Sequence, residues 1–315
     1  MTLPWLQETL NRFSQWQQQG RLAHAYLLTG TQGIGKSQLA TSMANRLLCA
    51  NGVACGQCHA CKLLAAGTHP DRYQLAADGG QIKVDAVRSL MAPVYGASLL
   101  GGAKVVLVEQ AHLLNINAAN ALLKSLEEPP QGTYWLLISS QPGLLLPTIL
   151  SRCQQLHVPV PTIQQAQQWL AEQGINTTAA MLQRFHGAPL ALQAALNAGY
   201  ADKVTKLQGD LVALETRHLM PETFADRWHK EAIFCLDELS HRLLDQARLA
   251  RGLAPLYHER LDRQERLNDA ALDALWQSVL VSRRQLTEQK AINSKWLLLD
   301  IAWQLLEGRS DNVVG

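Results

Sequence analysis

Eight consecutive residues, Gly30-Thr31-Gln32-Gly33-Ile34-Gly35-Lys36-Ser37, carry the pattern G-x-x-x-x-G-K-S. Glycines at this spacing let backbone N–H groups close around phosphate oxygens. Lys36 would neutralise the outer phosphates, and the Ser37 hydroxyl would ligate Mg²⁺. One helix later come Cys49, Cys55, Cys58 and Cys61, spaced C-x5-C-x2-C-x2-C. Thiolates so closely spaced can converge on Zn²⁺ in a closed, four-coordinate structural site, with Gly52 and Gly56 helping the chain turn between ligands. A three-cysteine site completed by His59 is the variant, and scattered structural cysteines the bland alternative. Cys153 and Cys235 stand alone and read as buried apolar residues.

These groups need a frame. Ala25–Thr29 is an apolar run that reads as a buried parallel strand, and Ser37–Cys49 is helical, with Leu39, Met43 and Leu47 on one face. Strand, loop and helix thus stand in the order that aims a helix N-terminus at phosphate. Further strands are expected at Tyr73–Leu75, Lys104–Val108, Tyr134–Ile138 and Cys153–Val158. Helices are expected over Val84–Met91, capped by Asp85, and over Ala118–Glu128, stopped by Pro129-Pro130. The alternation implies a three-layer α/β domain on a mostly parallel sheet.

Pro159 and Pro161 mark a linker, and Thr162 caps a helix carrying Ile163, Ala166 and Leu170. Two short helices joined at His186-Gly187-Ala188-Pro189 complete a small helical region. Beyond it the pattern is wholly helical, with three apolar stripes: Ile233/Leu236/Leu239/Leu243/Ala247, Leu272/Leu275/Trp276/Val279/Leu286 and Trp296/Leu299/Leu306. Such stripes are core or subunit interface far more often than ligand pockets.

With 315 residues, 47% hydrophobic, the chain is long enough for two or three cores. A net charge of +2 excludes a strongly basic nucleic-acid binder of the histone type. No apolar run reaches the ~18 residues of a spanning helix, and no secretory leader is visible, so a cytoplasmic protein in a reducing compartment is expected.

Several segments together resemble the AAA+ clamp-loader subunits of bacterial DNA polymerase III. They are Arg21–Leu28 leading into the loop, the cysteine knot, Thr68-His69-Pro70-Asp71, Asn120–Pro130 and Ser151-Arg152-Cys153. The resemblance covers the whole chain. It implies a RecA-like AAA+ domain with a zinc module (residues 1–160), a helical lid (161–206) and an all-α collar for oligomerisation (207–315). The implied partners are gamma/tau and delta subunits, and through the complex the sliding clamp and primed DNA. No membrane partner is implied. The helix from Ala118 would face the DNA.

The family holds two kinds of P-loop subunit, an ATP-hydrolysing motor (gamma or tau) and a stationary partner that supplies an arginine finger. Three sites place this chain with the second. Where a motor carries Asp-Glu after the Lys104–Val108 strand, this chain has Glu109-Gln110. Glu109 can still hold a metal-bound water, but Gln110 cannot act as a base, a contribution of about 10²–10⁴ in rate. The lid segment His186–Leu192 lacks the arginine that in motors reaches the γ-phosphate. Arg152 is retained, and in the family it points into a neighbour's ATP site, where such a finger contributes about 10³–10⁵. Ser139 and Ser140 stand where a polar sensor would meet the γ-phosphate, or are ordinary strand-end hydrogen bonders. The implied picture is ATP·Mg²⁺ bound through Gly30, Gly33, Gly35, Lys36, Ser37 and Glu109 without hydrolysis, in a subunit of a nucleotidyltransferase holoenzyme. The alternatives are a gamma/tau-like motor and, more distantly, a zinc-dependent nucleic-acid-binding module.

Overall fold

The computed structural model describes residues 3–258, 267–288 and 292–310; residues 1–2 and 311–315, the outer limits of the first and last expected domains, lie outside them. The chain divides into two compact units. The first runs through Trp169 and includes Gly187–Ala191; the second comprises Leu170–His186 and the chain from Leu192 onward.

The first unit is built on five parallel strands: β1 (Ala25–Thr29), β2 (Arg72–Leu75), β3 (Lys104–Val108), β4 (Thr133–Ser139) and β5 (Gln154–His157), in the order β2-β3-β4-β1-β5. β1 and β3 are apolar without alternation because both sheet faces are covered. On one face α1 (Gln7–Gln18) and α2 (Lys36–Leu48) pack against Leu28, Val105, Leu107 and Leu136. On the other, α4 (Val84–Tyr95) and α5 (Ile116–Glu127) pack against Leu27, Val106, Val108 and Trp135. The remaining helices of this region are α3 (His59–Ala65), α6 (Pro147–Leu150) and the start of α7 (Ile163–Glu172). This three-layer arrangement is the AAA+ α/β fold the resemblance implied.

Two helix starts differ from expectation. Lys83, not Asp85, occupies the N-cap of α4; Asp85 lies in the first turn, where its charge suits the helix dipole, 3.9 Å from Arg88. α5 begins two residues before Ala118, because the Asn115 side chain accepts a hydrogen bond from the Ala118 N–H at 2.8 Å.

The second unit is all-α. It holds α8 (Ala179–Arg184), most of α9 (Pro189–Asn197), α10 (Tyr200–Glu215), α11 (Pro221–Trp228), α12 (Ala232–Ala250), α13 (Asp269–Glu288) and α14 (Ser294–Ser310). Leu236, Leu239 and Leu243 of the first expected stripe and Leu272, Leu275 and Val279 of the second are buried in one core. The third stripe is out of phase. In α14 it is Leu298, Ile301, Ala302 and Leu305 that are buried, while Trp296 is 66% exposed. Apolar residues occur all round this helix, so two interleaved stripes satisfy helical spacing and only packing chooses between them. A buried ion pair links α8 to α12: Arg184 bonds Glu238, which also accepts from the Tyr200 hydroxyl.

Candidate functional site

The phosphate loop leaves β1 and enters α2 with positive φ at all three of its glycines, Gly30, Gly33 and Gly35. Left-handed Gly35 is the N-cap of α2. Lys36 Nζ donates to the carbonyls of Gly30 (2.8 Å) and Thr31 (2.7 Å), and the Ser37 hydroxyl donates to Glu109 Oε2 at 2.7 Å. Burial lowers the Lys36 pKa to about 8, opposed by the charge of Glu109. Glu109 is fixed at the end of β3 by its N–H, which donates to Leu75 O at 2.9 Å. Loop N–H groups, one ammonium, one hydroxyl and one carboxylate therefore converge, a donor set that fits a phosphate chain with its Mg²⁺. The six sequence-predicted residues of this site are together.

Gln110, which offers no carboxylate, follows Glu109 just beyond β3. It is exposed and sits at φ +48°, in the left-handed region. Ser139 is fully buried; its Oγ lies 3.2 Å from His112 Nδ1 and accepts from the Gln141 N–H at 3.1 Å. Ser140 is half-buried. His112, which sequence reasoning missed, is held below its ordinary pKa by burial and by the nearby Lys36 charge, which favours its neutral form.

Two further partners of the loop were not legible in the sequence. The Trp5 indole N–H donates to Ile34 O at 2.7 Å, and the Leu190 N–H donates to Gly33 O at 3.1 Å. Gly33 must be glycine for a second reason: a Cβ there would meet Ala191 Cβ at 2.4 Å. The segment Gly187–Ala191, which has no arginine, thus packs its backbone on the phosphate loop.

The four cysteine sulfurs lie within 4.8 Å of one another, with Cys49 Sγ 3.7 Å from Cys55 Sγ and 3.9 Å from Cys58 Sγ. A tetrahedron of Zn–S bonds of ~2.3 Å has edges of about 3.8 Å, so the cluster fits zinc. Backbone N–H groups of Cys55 and Cys61 each point at a sulfur, Cys49 and Cys58 respectively, at 3.4 Å. Burial opposes ionisation of Cys49, but N–H groups of Cys55, Asn51 and Val53 bring its thiol down to about 6. Burial pushes Cys61 up to about 12. Gly52 and Gly56 turn at φ +69° and +74°. Cys153 and Cys235 are buried away from the cluster, their thiols raised by burial.

Arg152 lies apart from the phosphate loop. β5 pairs with β1 so that Gln154 stands opposite Tyr26, and Arg152 precedes Gln154. The phosphate loop begins at the other end of β1, ~13 Å further along the strand at 3.3 Å per residue. Arg152 Nη1 donates to Thr148 O at 2.9 Å and Nη2 pairs with Glu127 Oε1 at 2.5 Å. Its side chain is 33% exposed. Its guanidinium is engaged by Thr148 and Glu127, at the sheet end opposite the phosphate loop.

The family model for "DNA polymerase III, delta subunit" matches residues 5–162. A DNA polymerase III subunit delta' of Pseudomonas aeruginosa is 38% identical over 97% of this chain and 98% of its own length. The delta' subunit of Escherichia coli is 33% identical over 95% of this chain and 93% of its own length. The chain belongs to the delta-prime family of DNA polymerase III subunits. Similarity to a tau subunit is shorter: the DNA polymerase III subunit tau of Escherichia coli is 39% identical over 46% of this chain and 23% of its own length. A solved structure of a gamma-subunit-related protein from Thermotoga maritima matches in fold, with TM-score 0.56, 17% identity and coverage of 96% and 99% of the two chains.

Within this delta-prime fold the Thr68–Asp71 signature is structural. Asp71 is fully buried, and its carboxylate accepts from Ser98 Oγ (2.9 Å), Leu99 N–H (2.8 Å) and Leu100 N–H (3.0 Å), strapping the loop after α4 to the start of β2. Among the described residues no helix is long and apolar enough to cross a membrane.

Proposed function

We propose that this chain is the non-hydrolysing, stationary subunit of a DNA polymerase III clamp loader, acting in the cytoplasm beside delta and gamma/tau subunits to load the sliding clamp on primed DNA. Its contribution to catalysis is Arg152, presented to the ATP site of a neighbouring motor. The observation that carries this reading is the register of β5, which puts Arg152 at the sheet end opposite the chain's own phosphate loop. A guanidinium there can meet a phosphoryl group only on another subunit, where its planar fork spreads over developing charge.

The chain's own site supports binding without turnover. Gly30, Gly33, Gly35, Lys36, Ser37 and Glu109 would hold ATP with Mg²⁺, the metal offsetting phosphate charge. Gln110 supplies no carboxylate to take a proton from water. The four cysteines would hold a structural zinc ion that staples the end of α2 to α3. A division into AAA+ domain (1–160), lid (161–206) and collar (207–315) completes the reading, with the collar making the ring contacts.

The intact loop, with its Ser37–Glu109 contact, favours one rival, a gamma/tau-like motor. ATP turnover by the purified chain, with and without DNA, separates the two. The stationary reading expects nucleotide binding lost in Lys36→Ala and no turnover; robust turnover abolished by Lys36→Ala establishes the motor.

A further inference from the structure

Glu127 is the last residue of α5, followed by Glu128 at the C-cap and Pro129-Pro130. Carboxylates at this end face the negative pole of the helix dipole, where cations are favoured and acids are not. Such a placement calls for a nearby cation, and Arg152 is that cation. The guanidinium is held from two sides. Nη1 donates to Thr148 O and to Ser151 Oγ (3.3 Å), while Nη2 contacts Glu127; among the described residues Nε has no partner. The head group is therefore aimed and tethered, with one edge of its fork still open.

We propose that Glu127 is a positioning residue for Arg152, a resting latch that a phosphate on the neighbouring subunit must displace; this rests on the arginine-finger reading above. Two magnitudes decide the direction of the effect. Both partners are partly exposed, at 33% and 47%, and a solvent-screened pair of this kind shifts an equilibrium by at most about five-fold. A finger engaged on a phosphoryl group contributes about 10³–10⁵ in rate. The latch is too weak to inhibit the engaged state, but it competes with the approach to it. Until phosphate arrives it neutralises the guanidinium and keeps it from wandering, and α5 keeps a cation at its C-terminal end. Displacement exchanges one anion for another and leaves the Thr148 tether to hold the aim.

The test is ATP hydrolysis by the assembled clamp loader carrying the wild-type chain, Glu127→Gln, Arg152→Ala or both, with ATP varied. Glu127→Gln is expected to lower the half-saturating ATP concentration two- to five-fold and retain the maximal rate. In the Arg152→Ala background the same substitution is expected to change nothing. A Glu127→Gln complex that slows as Arg152→Ala does, or that shifts equally in both backgrounds, overturns the latch while leaving the finger intact. An Arg152→Ala complex as fast as wild type overturns the finger reading, and the latch with it.

Discussion

Gly33→Ala tests whether the phosphate loop of this chain is shaped by its own fold as much as by a ligand. Gly33 sits at φ +80°, a region that costs an L-residue about 1–2 kcal/mol. The added Cβ would lie 2.4 Å from Ala191 Cβ and 2.7 Å from Ala191 N, so the start of α9 must retreat. Retreat breaks the 3.1 Å bond from Leu190 N–H to Gly33 O, a further ~0.5–1.5 kcal/mol. The sum is about 1.5–3.5 kcal/mol, present without any nucleotide. Amide hydrogen exchange on the nucleotide-free protein reads it directly. Leu190 and Ala191 should exchange about 10- to 300-fold faster in Gly33→Ala, since each ~1.4 kcal/mol is tenfold. Unchanged exchange at these two amides would show that the glycine serves phosphate approach alone and that the contact with α9 is incidental.

Two further outcomes are expected. The purified chain should carry roughly one zinc per molecule, and Cys61→Ser should lose it with fraying of α3, read by elemental analysis and circular dichroism; full zinc occupancy in Cys61→Ser would remove Cys61 from the site. For the α8–α12 ion pair, burial would raise the Glu238 pKa, but the His241 ring 3.5 Å away, the Arg184 charge and the Tyr200 hydroxyl outweigh it and hold the group below its ordinary value. The folded pKa is thus below the unfolded one, so the pair's stabilisation is present above the unfolded carboxylate range near pH 4.5 and is lost as pH falls through the folded value. Glu238→Gln should cost about 3–5 kcal/mol at pH 7 by stranding Arg184, and should flatten the acid limb of a urea-stability profile. An acid limb as steep as wild type would assign it to other carboxylates.

What the sequence made legible follows from range and symmetry. The phosphate loop, the cysteine knot and strands β1 and β3 are local patterns, each fixed by a few neighbours, and the structure has them where spacing puts them. α5 starts at Ile116 and not at Ala118 because Asn115 caps it. α14 was out of phase for a deeper reason, its apolar residues leaving no unique buried face. Trp5 on Ile34 O, Leu190 on Gly33 O, His112 on Ser139 and Glu127 on Arg152 join residues distant in sequence. No periodicity encodes them. Arg152 shows the division most plainly: its motif is local, but its place at the sheet end opposite its own loop exists only once β5 pairs with β1.

The most direct test of the central claim is Arg152→Ala, measured two ways on one preparation. Nucleotide binding by the isolated chain should be unchanged, because Arg152 is remote from the loop, while ATP hydrolysis by the assembled clamp loader should fall by about 10³ or more at the site it serves. An unchanged hydrolysis rate, or a loss of the chain's own nucleotide binding, would contradict the account.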